Sequence, residues 1–473
     1  MSDKFDLVVL GGGPGGYVAA IEAARNNMSV AVVESDAIGG TCVNWGCIPT
    51  KALLKCAEVY HNVKHSSTFG VDCGKSEKVK PDLKKMFERS RVVADKLMAG
   101  AQFLMKHNNI TVIKGQGKLL SSGAIAVVMN GEAEVSKEVR GDNVIIATGA
   151  KARELPFLKI DHKYVLDSRD AMSLTDLPAS LLVVGSGAIG IEFAGFYSTL
   201  GTKVTIVEKE DRILLHEDDE VSAMVQKSFQ ASGVDIHVSS GVRNIKVDKG
   251  QVRAEIVQPD GSVEKKKFSK VISAVGVVPN SSGIGLEDAG ITLNAGGFIE
   301  VSDYLETSRD GVYAIGDVTT VPLLAHKASH QGLLCVKKIL GQDGIKPIKQ
   351  EDIPSCIYSY PQVASIGLTE RKAKENGFDI RVGKASGMSN GKAVALGEEK
   401  NSFVKTIFCA KTGELLGAHM VGADVVEMIQ GFALMKRLEG VAEDVFDTIF
   451  PHPTMSEMMY ESVLSAYGRA IHG

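Results

Sequence analysis

Nothing in this 473-residue sequence is long and apolar enough to cross a bilayer. Uncharged runs such as Leu7–Ile21 and Leu177–Ile191 are 15 residues each and broken by glycine, where a spanning helix needs roughly 20 mainly apolar residues. An excess of one charge is missing as well. Lys and Arg number 53 and Asp and Glu 57, a net charge of −4, which argues against nucleic acid or a membrane surface as partner. Cysteine is sparse: seven residues (42, 47, 56, 73, 335, 356 and 409) are too few over this length for a disulfide-stapled scaffold. The first apolar run starts at Leu7 with no signal or transit pattern ahead of it. The expectation is therefore a soluble protein of a reducing cytoplasm, although a mitochondrial form freed of its leader would read the same. Low-complexity tracts are absent, and Trp45 is the single tryptophan.

What is present is an ordinary globular balance, 44% hydrophobic and 23% charged, over a length that accommodates three or four domains. Glycine is in excess, at 50 residues against an average near 7%, and much of it marks a duplication. Leu7-Val-Val-Leu10 runs into Gly11-Gly-Gly13-Pro-Gly-Gly16, and a second apolar run, Val30-Ala-Val-Val33, ends at Glu34. The pattern returns as Leu181-Leu-Val-Val184, Gly185-Ser-Gly187-Ala-Ile-Gly190 and Lys203-Val-Thr-Ile-Val207, ending at Glu208. First glycines and acids are both 174 positions apart, and each acid lies 23 positions past its first glycine.

That spacing is the one a strand–turn–helix unit needs to hold a dinucleotide. The first glycine permits the tight turn, the second lets a pyrophosphate approach the backbone, and the third lets helix pack on strand. The helix N-terminus offers free N–H groups and its dipole to the phosphates. The acid accepts from an adenosine ribose and repels a 2′-phosphate, so Glu208 predicts NAD rather than NADP at the second site. Closing strands are predicted at Asn143–Gly149 and Lys270–Gly276, only 127 positions apart. The first unit thus carries 47 additional residues between its acid and its closing strand, and these include a pair of cysteines.

The pair lies in Gly39-Gly-Thr-Cys42-Val-Asn-Trp-Gly46-Cys47-Ile-Pro49-Thr-Lys51. In a regular helix this separation is about 7.5 Å of rise, beyond the roughly 4.4–6.8 Å between Cα atoms that a disulfide wants. A bridge here demands a distorted turn, for which Gly46 and Pro49 are suited. A short-loop bridge in a reducing compartment is expected to be redox-active. Two buried thiols, or half of a metal site, are the other readings of the spacing; no second Cys/His pair at ligand spacing accompanies it, and no metal is predicted.

The cysteine segment, both glycine fingerprints and the ending Phe450-Pro-His452-Pro-Thr-Met-Ser-Glu457 together resemble the flavin disulfide reductases, over essentially the whole chain, and most closely those members that oxidise dihydrolipoyl groups. The resemblance implies FAD in the first unit, NAD in the second, and a Cys42–Cys47 disulfide against the flavin, with Cys42 as the interchange sulfur and Cys47 nearer the ring. It implies that Asp317, in Gly311-Val-Tyr-Ala-Ile-Gly-Asp317, bonds the ribityl chain, and that Gly117 and Ala325 contact FAD through their backbone. Val242 and Gly276 are implied to line the NAD site, and Lys51 and Glu192 to form a charged pair beside the flavin. His452, held between Pro451 and Pro453, is the expected base because an imidazole titrates near working pH; Glu457 would orient its ring. In this family the base comes from the other subunit, so a homodimer is expected, docking to a lipoyl-bearing protein of a 2-oxo acid dehydrogenase or glycine-cleavage type of complex.

The fold class expected is α/β: two Rossmann-like dinucleotide-binding domains plus a central domain and a C-terminal α+β interface domain. Their predicted extents are 1–150 (FAD), 151–277 (NAD), 278–348 (central) and 349–473 (interface). In the last, Cys356–Gly367, Ser402–Cys409 and Gly413–Val421 alternate like strands, and Ala423–Leu438 and Met455–Tyr467 read as helices. Lys78–His107 reads as amphipathic helix, with an antiparallel pair as one form of it. Some positions depart from the commoner family pattern: Trp45 replaces a small aliphatic residue, Val277 and Val278 stand where arginine is frequent, and Gln362 replaces a glutamate. A glutathione-type reductase is disfavoured by Glu208, and a soluble transhydrogenase by the cysteine pair. A non-catalytic flavoprotein subunit would need a broken site, yet every catalytic position is present.

Overall fold

A computed structural model describes residues 3–75 and 78–472. The chain forms two compact units. The first comprises residues up to Leu53, Lys84–Arg153 and Gly276–Ile348; the second comprises Leu54–Leu83, Glu154–Val275 and the chain from Lys349 onward.

The first unit is built on a sheet whose parallel strands run in the order Thr111–Leu119, Val30–Glu34, Asp3–Leu10, Lys137–Ile146 and Val312–Ala314. The strand Ile125–Met129 pairs antiparallel with the outer parts of Thr111–Leu119 and Lys137–Ile146. Apolar runs such as Leu7–Leu10 and Val30–Val33 are buried on both faces, as expected of a parallel sheet covered on each side. One face packs the helices Pro14–Arg25 and Ala325–Ile339 through Ala19, Ala23, Leu334 and Cys335. The other packs Ile125, Val127, Leu286 and Ile299.

Within the second unit the same design recurs. Its parallel order is Asp235–His237, Lys203–Val207, Ser180–Val184, Lys270–Ser273 and Val165–Leu166. Strand for strand this matches the first unit, except that the fifth strand comes from upstream instead of downstream. The antiparallel ribbon of Ala150–Ala152 with Val277–Pro279 belongs to the first unit and joins the points where the chain leaves it and returns.

The C-terminal part of the second unit is a five-stranded antiparallel sheet in the order Ser355–Ile357, Gln362–Gly367, Leu415–Gly422, Phe403–Cys409, Ile380–Ser386. The helices Val425–Arg437 and Glu457–Ala466 cover it through Met428, Phe432, Met459 and Val463. One expectation is corrected here and another narrowed. Cys356–Gly367 is a hairpin of two strands, turned at Tyr360-Pro361, and the helix expected within Lys78–His107 is a single 25-residue one, Leu83–His107, not an antiparallel pair. In the first case apolar alternation continues through the turn; in the second no glycine or proline interrupts the helix before Gly100. Among the described residues no helix is long and apolar enough to cross a membrane.

A buried cation ties this sheet to the N-terminus of the helix Asp219–Ala231 inside the second unit. Lys405, 2% exposed, meets Asp218 at 2.9 Å, Glu220 at 2.7 Å and Glu370 at 2.7 Å. Burial works against its charge, but the three carboxylates outweigh that and hold it protonated. All three carboxylates are in turn held below their usual range. Removing one partner of a buried ion cluster costs about 3 kcal/mol or more. Lys405→Met is therefore expected to lower the unfolding free energy at pH 7 by an amount of that order, read as a lower urea midpoint. The gap should narrow progressively as pH falls below roughly 4, where the unfolded carboxylates protonate, toward the lower values at which the native ones do; urea titrations at pH 7 and pH 3.5 check both.

Candidate active site

The glycine turns come first, because they decide where anything can bind. Gly11 and Gly185 adopt φ of +106° and +96°, and a Cβ on either would collide with a backbone carbonyl, of Ala147 or of Ala274. Side chains rarely adopt that region of φ. Gly16 and Gly190 press against the carbonyls of Gly11 and Gly185, so helix and strand pack there without a side chain between them. The middle glycines are different. Gly13 and Gly187 are the N-caps of helices Pro14–Arg25 and Ala188–Thr199, with almost identical backbones (φ −69°, ψ −175° and −177°). A Cβ on Gly187 meets open space, and one on Gly13 only the Cα of Gly40 at 3.9 Å. This is the cradle a pyrophosphate requires, an open helix N-terminus with no side chain in the way.

The two acids sit identically. Glu34 Oε2 accepts the Gly12 N–H at 2.6 Å and Oε1 the Asp36 N–H at 2.7 Å. Glu208 Oε2 accepts from the Ser186 N–H at 2.8 Å and from its hydroxyl at 2.6 Å, and Oε1 from the Glu210 N–H at 3.0 Å. Each carboxylate is thereby fixed against its own glycine turn, and the residues present fit one dinucleotide per unit.

The remaining FAD-type positions of the first unit gather on the same sheet. Gly117 lies in Thr111–Leu119, where a Cβ would strike Leu10. Asp317 is in a single 3-10 turn, Gly316–Val318, directly after the strand Val312–Ala314, and Ala325 opens the helix Ala325–Ile339. Burial pushes the Asp317 carboxyl up, opposed by the Lys327 cation. Sequence reasoning missed two residues here. Lys327, 3% exposed, donates to the carbonyls of Thr320 and Gly316, and the Gln331 side chain accepts the Gly316 N–H at 2.7 Å. Together they shape the Asp317 turn. The only signal for them was their place one and two turns into the helix after Ala325.

The cysteines lie where the chain breaks its helix. Gly40–Trp45 ends at Gly46, whose φ −142° and ψ −115° are not helical, and Cys47 begins the 18-residue helix Cys47–Lys64. A Cβ on Gly46 would stand 3.0 Å from the Thr41 carbonyl oxygen and 3.3 Å from the Cys42 Cα. The break is what brings the two thiols into hydrogen-bond contact. That contact, burial and repulsion between two neighbouring thiolates raise the Cys42 thiol well above its usual range, while Lys51 acts in the opposite sense. Cys47 occupies a helix N-terminus, which favours its thiolate, and Lys51 follows at i+4 on the same face.

In the second unit, Glu192 is not a solvated helix residue: it is 6% exposed, and Oε1 accepts the Tyr358 N–H at 3.0 Å. Val242 is buried on the strand Gly241–Asp248, opposite Ile256 of the strand Gln251–Val257, and Gly276, in the first unit, turns the chain after Lys270–Ser273 with φ +98°. His452 Nδ1 meets Glu457 Oε1 at 2.9 Å, and Glu457 Oε2 accepts the Thr454 N–H at 2.9 Å. Burial raises the Glu457 carboxyl, but the Thr454 amide and His452 outweigh it and hold it below the usual range. With Nδ1–H donated to a carboxylate, Nε2 carries the lone pair, on a ring that is 77% exposed.

Paired dinucleotide cradles, a vicinal thiol pair at a helix break and a carboxylate-oriented imidazole define a pyridine nucleotide-linked thiol–disulfide chemistry. The chain belongs to the pyridine nucleotide-disulphide oxidoreductase family: residues 5–332 match that family's model and residues 353–463 its dimerisation domain. It is 49% identical, over the full length of both proteins, to a dihydrolipoyl dehydrogenase of Zymomonas mobilis, and 40% identical over full length to one of Bacillus subtilis. Among solved structures it is similar to LpdA of Mycobacterium tuberculosis, with 27% identity, TM-score 0.90 and coverage of 98% and 99% of the two chains. It is also similar to the HOCl-induced flavoprotein disulfide reductase RclA of Escherichia coli, with 26% identity, TM-score 0.86 and the same coverage.

Burial lowers the Lys327 ammonium from 10.5 to about 8, opposed by Asp317. Between those values the unfolded chain binds more protons than the folded one, so this group makes the folded state relatively more stable as pH rises. Lys327→Met should remove that component. Urea midpoints of parent and variant at pH 8 and pH 10 check it: the parent is expected to gain on the variant's own change across the interval.

Proposed function

We propose that this protein oxidises protein-bound dihydrolipoamide to lipoamide with reduction of NAD to NADH, through a redox-active Cys42–Cys47 disulfide. The observation that carries the reading is the thiol contact made at the Gly46 break, in the unit that also holds the first dinucleotide cradle. FAD, when bound in that cradle, supplies the two-electron relay between the dithiol and the nicotinamide. Gly11, Gly13, Gly16 and Glu34 hold it at the pyrophosphate and ribose, with Gly117, Asp317 and Ala325 along the rest of its length. Gly185, Gly187, Gly190 and Glu208 hold NAD, with Val242 and Gly276 beside it.

A dihydrolipoyl thiol must lose its proton before it can attack, because the thiolate is the nucleophile. His452 Nε2 takes that proton, and Glu457 stabilises the imidazolium that results. The thiolate attacks Cys42 Sγ; the S–S bond breaks and its electron pair leaves on Cys47, which the helix N-terminus and Lys51 favour as an anion. The second dihydrolipoyl thiolate then attacks the mixed disulfide, closing lipoamide and leaving Cys42 reduced. Glu192, buried and fixed by the Tyr358 amide, keeps its carboxylate in place directly behind the second glycine turn. The match to the dimerisation domain supports a homodimer in which His452 of the partner subunit completes each site. The substrate is carried by a lipoyl-bearing protein of a 2-oxo acid dehydrogenase or glycine-cleavage type of complex. Balanced charge and seven scattered cysteines support a reducing compartment, the cytoplasm.

The direct test is a steady-state assay with dihydrolipoamide and with oxidised glutathione, each against NAD(H) and NADP(H). Turnover is expected with dihydrolipoamide and NAD alone; preferred reduction of glutathione by NADPH would overturn the reading. His452→Ala should reduce lipoamide turnover at least a hundredfold, as loss of a general base does, with FAD content and NADH-to-dye activity retained. A mixed dimer of Cys47→Ser and His452→Ala chains should regain one working site, and failure to do so would place the base in the same subunit.

A further inference from the structure

Two features meet at the helix break that the chemistry above does not use. Helix Gly40–Trp45 ends there, so its last carbonyls have no intrahelical donors. The Asn44 carbonyl is taken instead by Arg91, whose Nη1 donates to it at 2.6 Å. The same guanidinium lies over the Trp45 indole, 4.2 Å from the ring centroid. Arg91 stands on the helix Leu83–His107, and two residues before it Arg89 Nη1 donates to the Ala52 carbonyl at 3.2 Å. One helix thus grips both sides of the break. The buried Asn44 side chain holds the near side from within, donating to the carbonyls of Gly40 at 2.9 Å and Ile38 at 3.2 Å.

Gly46 separates Trp45 from Cys47, and its backbone has no side chain to hold it. Whatever fixes the residue before it therefore helps fix the spacing of the two sulfurs, and a disulfide tolerates little error in that spacing. The broad Trp45 ring gives the guanidinium a face to lie on. We propose that Arg91 and Trp45 form a clamp that sets the geometry of the Cys42/Cys47 pair, which makes Arg91 a positioning residue for the dithiol–disulfide couple. The inference rests on the reading of that pair as redox-active. Its consequence is thermodynamic: by holding the thiols together the clamp favours closing the bridge.

The exchange that measures this is balanced with glutathione. Two protein thiols and one glutathione disulfide give one protein disulfide and two glutathione thiols; two electrons and two protons pass to glutathione. The FAD-bound homodimer is equilibrated in graded glutathione buffers, quenched by alkylation and scored by mass. Arg91→Met is expected to lower the equilibrium constant for closure about tenfold, which is about 30 mV toward easier reduction. Emission of Trp45, the only tryptophan, should become several-fold more accessible to acrylamide. Trp45→Val should shift the equilibrium in the same direction, and Arg91→Met added to it should shift it little further, because the two act as one unit. If Arg91→Met does not assemble with FAD, Arg91→Gln, which cannot span the ring, carries the same expectation. A variant pair that closes as readily as the parent overturns the clamp. A parent pair that stays reduced at every ratio overturns instead the redox reading on which the clamp rests, so the two failures are distinct.

Discussion

The structure depends on a helix that is not allowed to continue. Run unbroken from Gly40 to Lys64, it would set Cys42 and Cys47 about 7.5 Å apart along its axis and leave two unrelated thiols. The non-helical Gly46 folds that distance away, places Cys47 at a fresh helix N-terminus and presents Lys51 one turn later. The break exposes orphan carbonyls, and Arg91 of a neighbouring helix answers the one at Asn44. The local break and its long-range support are thus parts of one arrangement, with the thiol pair at its centre.

Around that centre the fold repeats a single solution. Both parallel sheets have the same strand order, and both put a glycine turn and a bonded glutamate at the same point. The open N-caps at Gly13 and Gly187 explain why the middle glycine of each turn matters: it is the one whose absent side chain leaves room for a ligand, whereas the outer two leave room for the protein itself. What differs between the repeats is the chain between acid and closing strand, and there the first repeat carries its cysteine pair.

Much of this was legible in the sequence because it is written locally. A glycine turn, the strand before it and the acid 23 positions on are short-range patterns with a backbone reason for each residue. The demand for a distorted turn followed from helix geometry and a five-residue step. What was not legible is held by contacts between distant side chains. Lys405 finds Asp218 187 positions away, Arg91 finds Asn44 47 positions away, and buried Glu192 finds Tyr358; no period in the sequence announces a buried charge. The strand expected over Cys356–Gly367 failed for a related reason, since alternation does not reveal that Tyr360-Pro361 reverses the chain.

The central claim is that Cys42 and Cys47 are the couple through which electrons pass. Differential alkylation and mass mapping of the FAD-bound protein tests it most directly, after anaerobic exposure to dihydrolipoamide in one sample and NADH in another. Both reductants are expected to convert Cys42 and Cys47, alone among the seven cysteines, from bridged to alkylatable. A pair that remains unchanged while dihydrolipoamide is being oxidised would contradict the account.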